Sequence, residues 1–309
     1  MIEVINLTKK YSGFTAVDNI SFKIERGEVV GFLGPNGAGK TTTLRVLTGY
    51  FPPTQGACKI GEYDIEKSPV SAKRSIGYVP ENNPLYHEMK VMEFLEFLGS
   101  IRGINDPKNR IKEIAELCKI KEVISKTIGE LSKGYRQRVG LAQAILHDPD
   151  ILIMDEPTEG LDPNQVAQVR ELIKELGKEK TVLLSTHRLS EVEATCKRIL
   201  IINRGKIVAD AKRDELHRMA KGKEIIELEI KAPKEKVLEV VGREPDIESI
   251  ELKEEGETSK YEISSSADPR ESIFNLCVAN NWTLIDMHRR VVSLESVFKE
   301  LTQEEISNA

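Results

Sequence analysis

The chain has 309 residues, a net charge of −5, and 39% hydrophobic and 31% charged residues. This length allows two domains, and the composition is typical of an ordinary soluble protein. The acidic balance disfavours nucleic acid as a partner, because nucleic-acid binding usually requires a basic face. The sequence has no run of 18 apolar residues, so it predicts no membrane span. The first residues also lack the pattern of a signal peptide. Four widely spaced cysteines predict free thiols in a reducing cytosol.

The first 80 residues are rich in predicted strands. Residues 2–7 and 20–24 alternate apolar and polar side chains, as half-buried strands do. The apolar run 29–33 predicts a buried strand, and residues 41–47 predict a helix that stops at a glycine. Further short strands are predicted over 57–60 and 75–79.

The segment between that buried strand and that helix fits the phosphate-binding pattern G-x-x-x-x-G-K-[ST]. Its residues are Gly34, Pro35, Asn36, Gly37, Ala38, Gly39, Lys40, Thr41 and Thr42. The glycines let backbone N–H groups turn toward phosphate oxygens, and the helix N-terminus adds positive charge. We expect Lys40 to reach the β- and γ-phosphates and the Thr41 hydroxyl to ligate Mg²⁺. The loop therefore predicts a site for a nucleoside triphosphate and magnesium.

A helical insertion follows, over about residues 85–147. Helices are predicted over 89–101, 107–118, 121–124 and 135–146. Ser132 is a good N-cap for the last of these helices. A serine hydroxyl and backbone N–H groups at a helix start form an anion site. Considered alone, the same residues better suit a structural cap beside a solvated basic surface.

An α/β pattern resumes after the insertion, with short apolar strands alternating with helices. Strands are predicted over 151–154, 181–185 and 198–202, and helices over 164–176 and 189–196. Such an alternation is typical of a mostly parallel sheet that is covered on both faces.

Two carboxylates and a histidine follow the ends of these strands. Asp155 is placed to hold the Mg²⁺ shell, and Glu156 to orient and deprotonate an attacking water. His187 comes just past the strand 181–185, where ligands bind in open α/β sheets and where it can donate to a γ-phosphate. A lone loop histidine is more often merely exposed, so the inference depends on its position among the other motifs.

The composition turns polar over residues 210–223, which predicts a domain boundary. The remainder predicts strands over 225–230, 247–252, 259–264 and 282–287, and helices over 234–241, 269–280 and 294–301. This strand–helix–strand–strand–helix–strand order predicts a small α+β ferredoxin-like module. It carries no catalytic constellation, so we expect it to support dimerisation or regulation, and we expect Trp282 in its core.

Taken in order, these motifs resemble those of the ATP-binding subunit of an ATP-binding-cassette (ABC) transporter. Residues 34–42 match the Walker A loop, and 151–156 match Walker B. Ser132, Lys133, Gly134 and Tyr135 match the signature motif, and Asp162 matches the D-loop. His187 matches the switch histidine, and Tyr11 matches the aromatic that stacks on adenine. The resemblance covers residues 1–215.

Two positions depart from the usual family pattern. Lys133 and Tyr135 stand in a signature that is usually Leu-Ser-Gly-Gly-Gln, and Glu81 stands where the family has a glutamine. Glu81 keeps an oxygen that reaches toward Mg²⁺, but it adds charge. Both departures, and residues 294–298, are similar to the gliding-motility and ABC-2 branch of exporters.

The resemblance implies a P-loop NTPase cassette with a mixed sheet core over residues 1–215, with the helical subdomain at about 85–147. The accessory module is then expected over residues 222–309. It also implies Mg²⁺-dependent ATP hydrolysis by two copies that sandwich ATP. Hydrolysis would power export through a separate membrane permease, on the cytoplasmic face of the membrane. The transported substrate is not encoded in these motifs.

Two other readings remain open on the sequence. One is a soluble ABC-type ATPase that acts on ribosomes or DNA, which the single cassette and the acidic charge disfavour. The other is a regulatory module that hydrolyses ATP slowly, and the intact carboxylates and histidine argue against it.

Overall fold

The computed structural model describes residues 1–215, 224–290 and 298. The chain divides into two compact units, Met1–Arg213 and Asp214–Ala309. Among the helices in the described ranges, none combines the length and the apolar character that a membrane crossing requires.

The first unit contains two sheets and seven α-helices in the part that is described. Its strands are β1 (Ile2–Tyr11), β2 (Phe14–Ile24), β3 (Val29–Leu33), β4 (Gln55–Ile60), β5 (Tyr63–Asp64), β6 (Ile76–Val79), β7 (Ile151–Asp155), β8 (Thr181–Thr186), β9 (Arg198–Asn203) and β10 (Lys206–Lys212). Its helices are α1 (Lys40–Leu47), α2 (Pro69–Arg74), α3 (Val91–Ile101), α4 (Pro107–Leu117), α5 (Lys133–Ile145), α6 (Pro163–Leu176) and α7 (Leu189–Thr195). Single 3₁₀ turns occupy Lys121–Val123 and Ile128–Glu130.

The larger sheet has the strand order β10-β9-β3-β8-β7-β6. Its five strands from β9 to β6 run parallel, and β10 pairs antiparallel with β9 at one edge. Every residue of β7 and β8 is buried, because these central strands are covered on both faces of the sheet. The predicted mixed, mostly parallel sheet is confirmed. The carboxyl ends of β3, β7 and β8 meet at one edge, where the motif residues follow.

The smaller sheet is antiparallel, with the order β2-β1-β4-β5. Its apolar side packs on the larger sheet to form one hydrophobic core. Phe22 of β2 and Phe32 of β3 meet across this core, with their ring centroids 5.9 Å apart. This packing places the β1–β2 hairpin beside the loop that follows β3.

The predicted helical insertion between β6 and β7 is present as α3, α4 and α5. Asp106 caps α4 by accepting a hydrogen bond from the backbone N–H of Asn109, and Pro107 supplies the preset φ of a first helical residue. The segment predicted as a helix over 121–124 is only a 3₁₀ turn. Three elements were not predicted, namely β5, α2 and β10. The edge strand β10 alternates exposed and half-buried residues, so its sequence is too polar to stand out.

The second unit follows the predicted order of elements. They are β11 (Glu224–Lys231), α8 (Lys234–Val241), β12 (Ile247–Glu254), β13 (Ser259–Ser265), α9 (Arg270–Ala279) and β14 (Thr283–Arg290). The antiparallel sheet has the order β12-β13-β11-β14, and Trp282 packs against its core. The ferredoxin-like assignment of this unit stays a prediction. The helix predicted over 294–301 and the family-like segment 294–298 lie outside the described residues apart from Phe298.

Candidate nucleotide-binding and catalytic site

The loop between β3 and α1 folds as its glycines require. Gly39 has a φ of 109°, which is costly for any residue with a side chain. A Cβ at Gly39 would lie only 2.6 Å from the carbonyl oxygen of Ala16 on the neighbouring hairpin. The loop is also tied down by the N–H of Gly205, which donates to the carbonyl of Ala38 over 2.8 Å. Close packing of this kind fixes the N-terminus of α1 toward the cleft beside it.

Lys40 is the first residue of α1, and its side chain is only 6% exposed. Its ammonium donates to the carbonyl oxygens of Gly34 and Pro35, over 2.7 and 3.2 Å. The same Nζ lies 3.5 Å from Oε1 of Glu156. The loop therefore holds a buried cation in place before any phosphate arrives.

Asp155 ends β7 and is 1% exposed. Its Oδ1 accepts a hydrogen bond of 2.5 Å from the hydroxyl of Ser185 on β8. Its Oδ2 is buried and has no hydrogen-bond partner among the described residues. A buried carboxylate oxygen without a partner is costly, and it suits a hard cation such as Mg²⁺, which prefers oxygen ligands. Asp155 therefore fits the magnesium role that the sequence predicts for it.

Glu156 and His187 are in direct contact. Glu156 has a φ of 47°, and its N–H donates to the carbonyl of Ser185 over 3.1 Å. This turn brings the carboxylate of Glu156 to 3.0 and 3.1 Å from Nδ1 of His187. The pair has the reach of a general base and its orienting partner.

These groups line a cleft of about 460 Å³ at the edge of the larger sheet. The predicted site residues on its wall are Tyr11, Asn36, Gly37, Gly39, Lys40, Thr41, Thr42, Glu81, Glu156 and His187. Gly34, Pro35, Ala38 and Asp155 are not on this wall. Three further wall residues were missed by the sequence reasoning, namely Phe14, Ala16 and Glu159.

The hairpin formed by β1 and β2 carries two of the missed residues, Phe14 and Ala16. Tyr11 and Phe14 are paired across its turn, and both reach the cleft. The ring of Tyr11 packs edge-on against Phe51, with 6.0 Å between centroids, whereas Phe14 is 63% exposed. A second aromatic three residues after the first was the signal in the sequence.

The signature residues lie away from this cleft. Ser132 caps α5 by accepting from the N–H of Tyr135, and Ser132 and Lys133 are exposed. Gly134 is buried against the side chain of Gln165. Asp162 caps α6 by accepting from the N–H of Gln165 over 2.9 Å. The structure thus keeps these residues apart from the loop of their own chain.

A second cavity, of about 590 Å³, lies next to the cleft and is called here the groove. Glu81 lines both cavities, and Asp155 lines the groove. Other groove residues come from β6, from α1, α2, α3 and α5, and from the adjoining loops, among them Arg45, Tyr50, Lys73, Leu98 and Arg102. Burial, together with the nearby Asp155 carboxylate, raises the pKa of Tyr78 in this groove to about 12. Tyr78 is therefore a neutral hydroxyl at physiological pH.

Comparisons with known proteins point to one family. The family model for ABC transporters matches residues 17–159, which include the loop of Lys40 and the strand of Asp155. The ABC transporter ATP-binding protein YxlF of Bacillus subtilis (strain 168) is 35% identical over 301 residues, 96% of this chain and 98% of that protein.

Two further similarities differ in how much of the chain they cover. The bacitracin transport ATP-binding protein BcrA of Bacillus licheniformis is 33% identical over 303 residues, which is 97% of each protein. A solved dimeric structure of a bacterial ABC transporter cassette superposes with a TM-score of 0.64 and 26% identity, over 69% of this chain and 98% of that one. The chain therefore belongs to the ABC transporter family, as an ATP-binding and ATP-hydrolysing subunit.

Proposed function

We propose that this subunit hydrolyses ATP in the cleft of Lys40, Glu156 and His187 and so powers export through a separate permease. The observation that carries the proposal is the meeting of these three side chains on one wall. Lys40 binds the β- and γ-phosphates, and Tyr11 stacks on the adenine. Glu156 accepts a proton from the attacking water, and His187 donates to the γ-phosphate and steadies its developing charge.

Magnesium completes this site in the proposal. Asp155, Thr41 and Glu81 are the residues that would hold it, and the unpartnered Oδ2 of Asp155 is the observation that favours this. When bound, Mg²⁺ neutralises charge on the β- and γ-phosphate oxygens. Ser185 fixes the direction of the Asp155 carboxylate through its hydrogen bond, whether or not the metal is present.

The signature residues are proposed to serve a second copy of the chain. Ser132 and Lys133 are exposed at the start of α5, where N–H groups and the helix dipole favour a phosphate. They do not line their own chain's cleft, and the similar cassette structure is a dimer. In this arrangement Ser132 and Gly134 of one copy, with Lys133, Tyr135 and Asp162 beside them, close over the ATP of the other.

Replacing Glu156 by Gln tests the catalytic assignment. The Gln side chain keeps the size of Glu but cannot accept the proton, so ATP binding is retained and turnover is lost. We expect about a 10²–10⁴-fold lower ATPase rate and an ATP-dependent dimer by size-exclusion chromatography with light scattering. ATP hydrolysis by Glu156→Gln at the parental rate would show that Glu156 is not the base.

The groove is proposed to receive a cytoplasmic helix of the permease, which would hold the subunit on the inner face of the membrane. Glu81 lies on both the groove and the cleft, so a partner in the groove would act on the nucleotide site through it. The acidic side chains of Glu88, just before α3, and Glu96, in the middle of α3, are not part of the groove lining. Basic groups, among them Arg102, supply much of its charge instead.

The groove assignment is tested by co-expression with a candidate membrane permease. Arg102→Glu reverses a groove charge, whereas Lys112→Glu reverses an exposed charge on α4 outside it. We expect the first variant to lose co-purification and the second to keep it, with ATPase activity of the isolated subunit unchanged in both. Full co-purification of Arg102→Glu would rule the groove out.

Export is favoured over the other assignments by the names of the relatives, which include bacitracin transport and linearmycin resistance proteins. The rival assignment, an ATPase acting on ribosomes or DNA, has no counterpart among these names. Transport of a labelled amphiphilic antibiotic into inverted vesicles that hold both subunits, with and without ATP, tests the direction.

A further inference from the structure

His187 is held by two carboxylates. Its Nδ1 lies 3.0 Å from Oε2 of Glu156, and its Nε2 lies 3.9 Å from Oε2 of Glu159. The second distance is too long for a hydrogen bond, and it leaves the Glu159 carboxylate beside the edge of the imidazole. Both nitrogens of His187 therefore face anions of the chain itself.

Glu159 is in turn held by Arg188. The guanidinium Nη2 of Arg188 lies 3.4 Å from Oε2 of Glu159. Arg188 also lies 3.8 Å from Glu191, a buried residue whose other oxygen accepts a 2.9 Å hydrogen bond from Thr186. The backbone N–H of Arg188 donates to the Thr186 hydroxyl over 3.1 Å. These contacts anchor Arg188, and through it Glu159, to the end of β8.

The oxygen that faces both His187 and Arg188 has no hydrogen bond. Oε2 of Glu159 is shielded from solvent and accepts none from any described residue, although the side chain as a whole is 40% exposed. A shielded carboxylate oxygen without a hydrogen bond relies on nearby cations. His187 and Arg188 are the cationic or protonatable groups that it faces.

We propose that Glu159 is a positioning residue that holds His187 in the nucleotide-free cleft and is displaced from it by the γ-phosphate of ATP. This inference rests on the proposed placement of the γ-phosphate at His187. In the free chain, the Glu159 carboxylate lies beside Nε2 of His187, the imidazole nitrogen that points away from Glu156. A γ-phosphate at that nitrogen adds negative charge beside the Glu159 carboxylate, which opposes binding. Arg188 reduces this opposition by holding the carboxylate back.

The consequence is a specific effect on triphosphates. ADP lacks the phosphate that meets His187, so Glu159 alters the preference for triphosphate over diphosphate and leaves ADP affinity unchanged. A merely structural role would change the affinity for both nucleotides together. Comparing the affinities for triphosphate and for ADP therefore distinguishes a positioning role of Glu159 from a structural one.

The experiment measures dissociation constants of Mg²⁺–adenylyl imidodiphosphate, which is not hydrolysed, and of Mg²⁺–ADP by calorimetry. Glu159→Gln removes the charge at constant size and should tighten the triphosphate analogue about two- to fivefold, in the range of a partly exposed charge interaction, with ADP unchanged. Arg188→Ala leaves the carboxylate uncompensated and should weaken the analogue by a similar factor. The double variant should match Glu159→Gln alone, because Arg188 acts through Glu159.

Two controls make the outcome decisive. Glu171→Gln breaks the exposed 3.0 Å pair of Glu171 with Lys174 on α6, away from the cleft, and should change neither affinity. His187→Ala should lower the preference for the analogue. If His187→Ala leaves that preference unaltered, the γ-phosphate placement fails, and this inference with it. If His187→Ala lowers it while Glu159→Gln shifts both nucleotides equally or neither, only the role of Glu159 is overturned.

Discussion

Nζ of Lys40 lies 3.5 Å from Oε1 of Glu156, and both side chains are less than a tenth exposed. The ammonium also donates to the carbonyls of Gly34 and Pro35, so it has three oxygen neighbours within the chain. The buried carboxylate, by contrast, depends on Lys40 and His187. Lys40 therefore keeps two hydrogen-bond acceptors if Glu156 is replaced, whereas Glu156 keeps only His187 if Lys40 is replaced. In this sense the two ends of the pair are unequally supported.

This asymmetry predicts different stabilities for two variants that both abolish turnover. Lys40→Met leaves a buried carboxylate without its main cation and should lower the free energy of unfolding by about 3–5 kcal/mol. Glu156→Gln leaves a lysine that keeps its two carbonyl acceptors and should cost only about 1–2 kcal/mol. Urea unfolding of the nucleotide-free protein measures both. Equal losses in the two variants would contradict this prediction, because they would mean that the two ends of the pair are equally supported.

The hydrogen bond from Ser185 to Asp155 should affect both the stability of the fold and the binding of Mg²⁺. Ser185→Ala removes a fully buried donor and leaves both Asp155 oxygens unpartnered, so we expect a loss of about 1–3 kcal/mol in the free energy of unfolding. The freed carboxylate is also less well directed, so half-maximal ATPase activity should need more Mg²⁺. Ser100→Ala, on the exposed side of α3, is the control and should alter neither quantity. If the variant needs no more Mg²⁺ than the parent, Ser185 does not contribute to metal binding.

Two loop glycines form a matched pair for a steric test. Gly37 and Gly39 both have positive φ, 79° and 109°, but only Gly39 would place a Cβ against the backbone, at 2.6 Å from the Ala16 oxygen. A Cβ at Gly37 meets nothing within 4 Å. Gly37→Ala should therefore cost about 1–2 kcal/mol of unfolding free energy from its φ alone. Gly39→Ala should cost more and should displace the hairpin, measured as a larger drop in melting temperature. Equal drops would mean that the loop relaxes freely.

Much of the cassette was predictable because its signals are local. The phosphate loop sits between a buried strand and a helix, and Asp155 ends a continuous apolar strand, so both motifs follow from the order of residues. The strand and helix over Val29–Leu33 and Lys40–Leu47 lie within one residue of their predicted bounds. Such local patterns predict strands and helices correctly because burial and helix geometry impose them on the sequence.

The missed features are those that depend on contacts between distant parts of the chain. Phe14 reaches the cleft because the β1–β2 hairpin packs beside the loop of Gly39, and an aromatic three residues after Tyr11 does not reveal that packing by itself. Glu159 is a plain acidic residue in sequence, and its role depends on His187 and Arg188, some 30 residues away. The strand β10 is too polar to be recognised without its partner β9. The roles predicted for Ser132 and Asp162 concern a second copy and stay predictions.

His147 gives a prediction about pH that is independent of catalysis. Its Nε2 is 3.0 Å from the carbonyl oxygen of Ile76, and its Nδ1 is buried without a partner among the described residues. Burial, reinforced by the nearby Arg102, lowers the pKa of His147 from its ordinary 6.5 to about 4. Between these two values the unfolded chain binds a proton that the folded chain does not, so the free energy of unfolding rises with pH across this window. Stability should therefore be lost as the pH falls from about 6.5 to 4, and no further loss should come from this residue below that.

The size of this effect is moderated because the ring is only partly buried, so we expect about 1–2 kcal/mol between pH 7 and pH 4. His147→Gln keeps a donor for the Ile76 carbonyl but does not titrate, so this component of the pH dependence should disappear. His87→Gln, at an exposed position, should keep it. Denaturant unfolding at a series of pH values, with the His147 titration followed by NMR, measures both parts. A His147 resonance that titrates near pH 6.5 would contradict the argument, because a ring charged that readily in the folded protein cannot destabilise it on protonation.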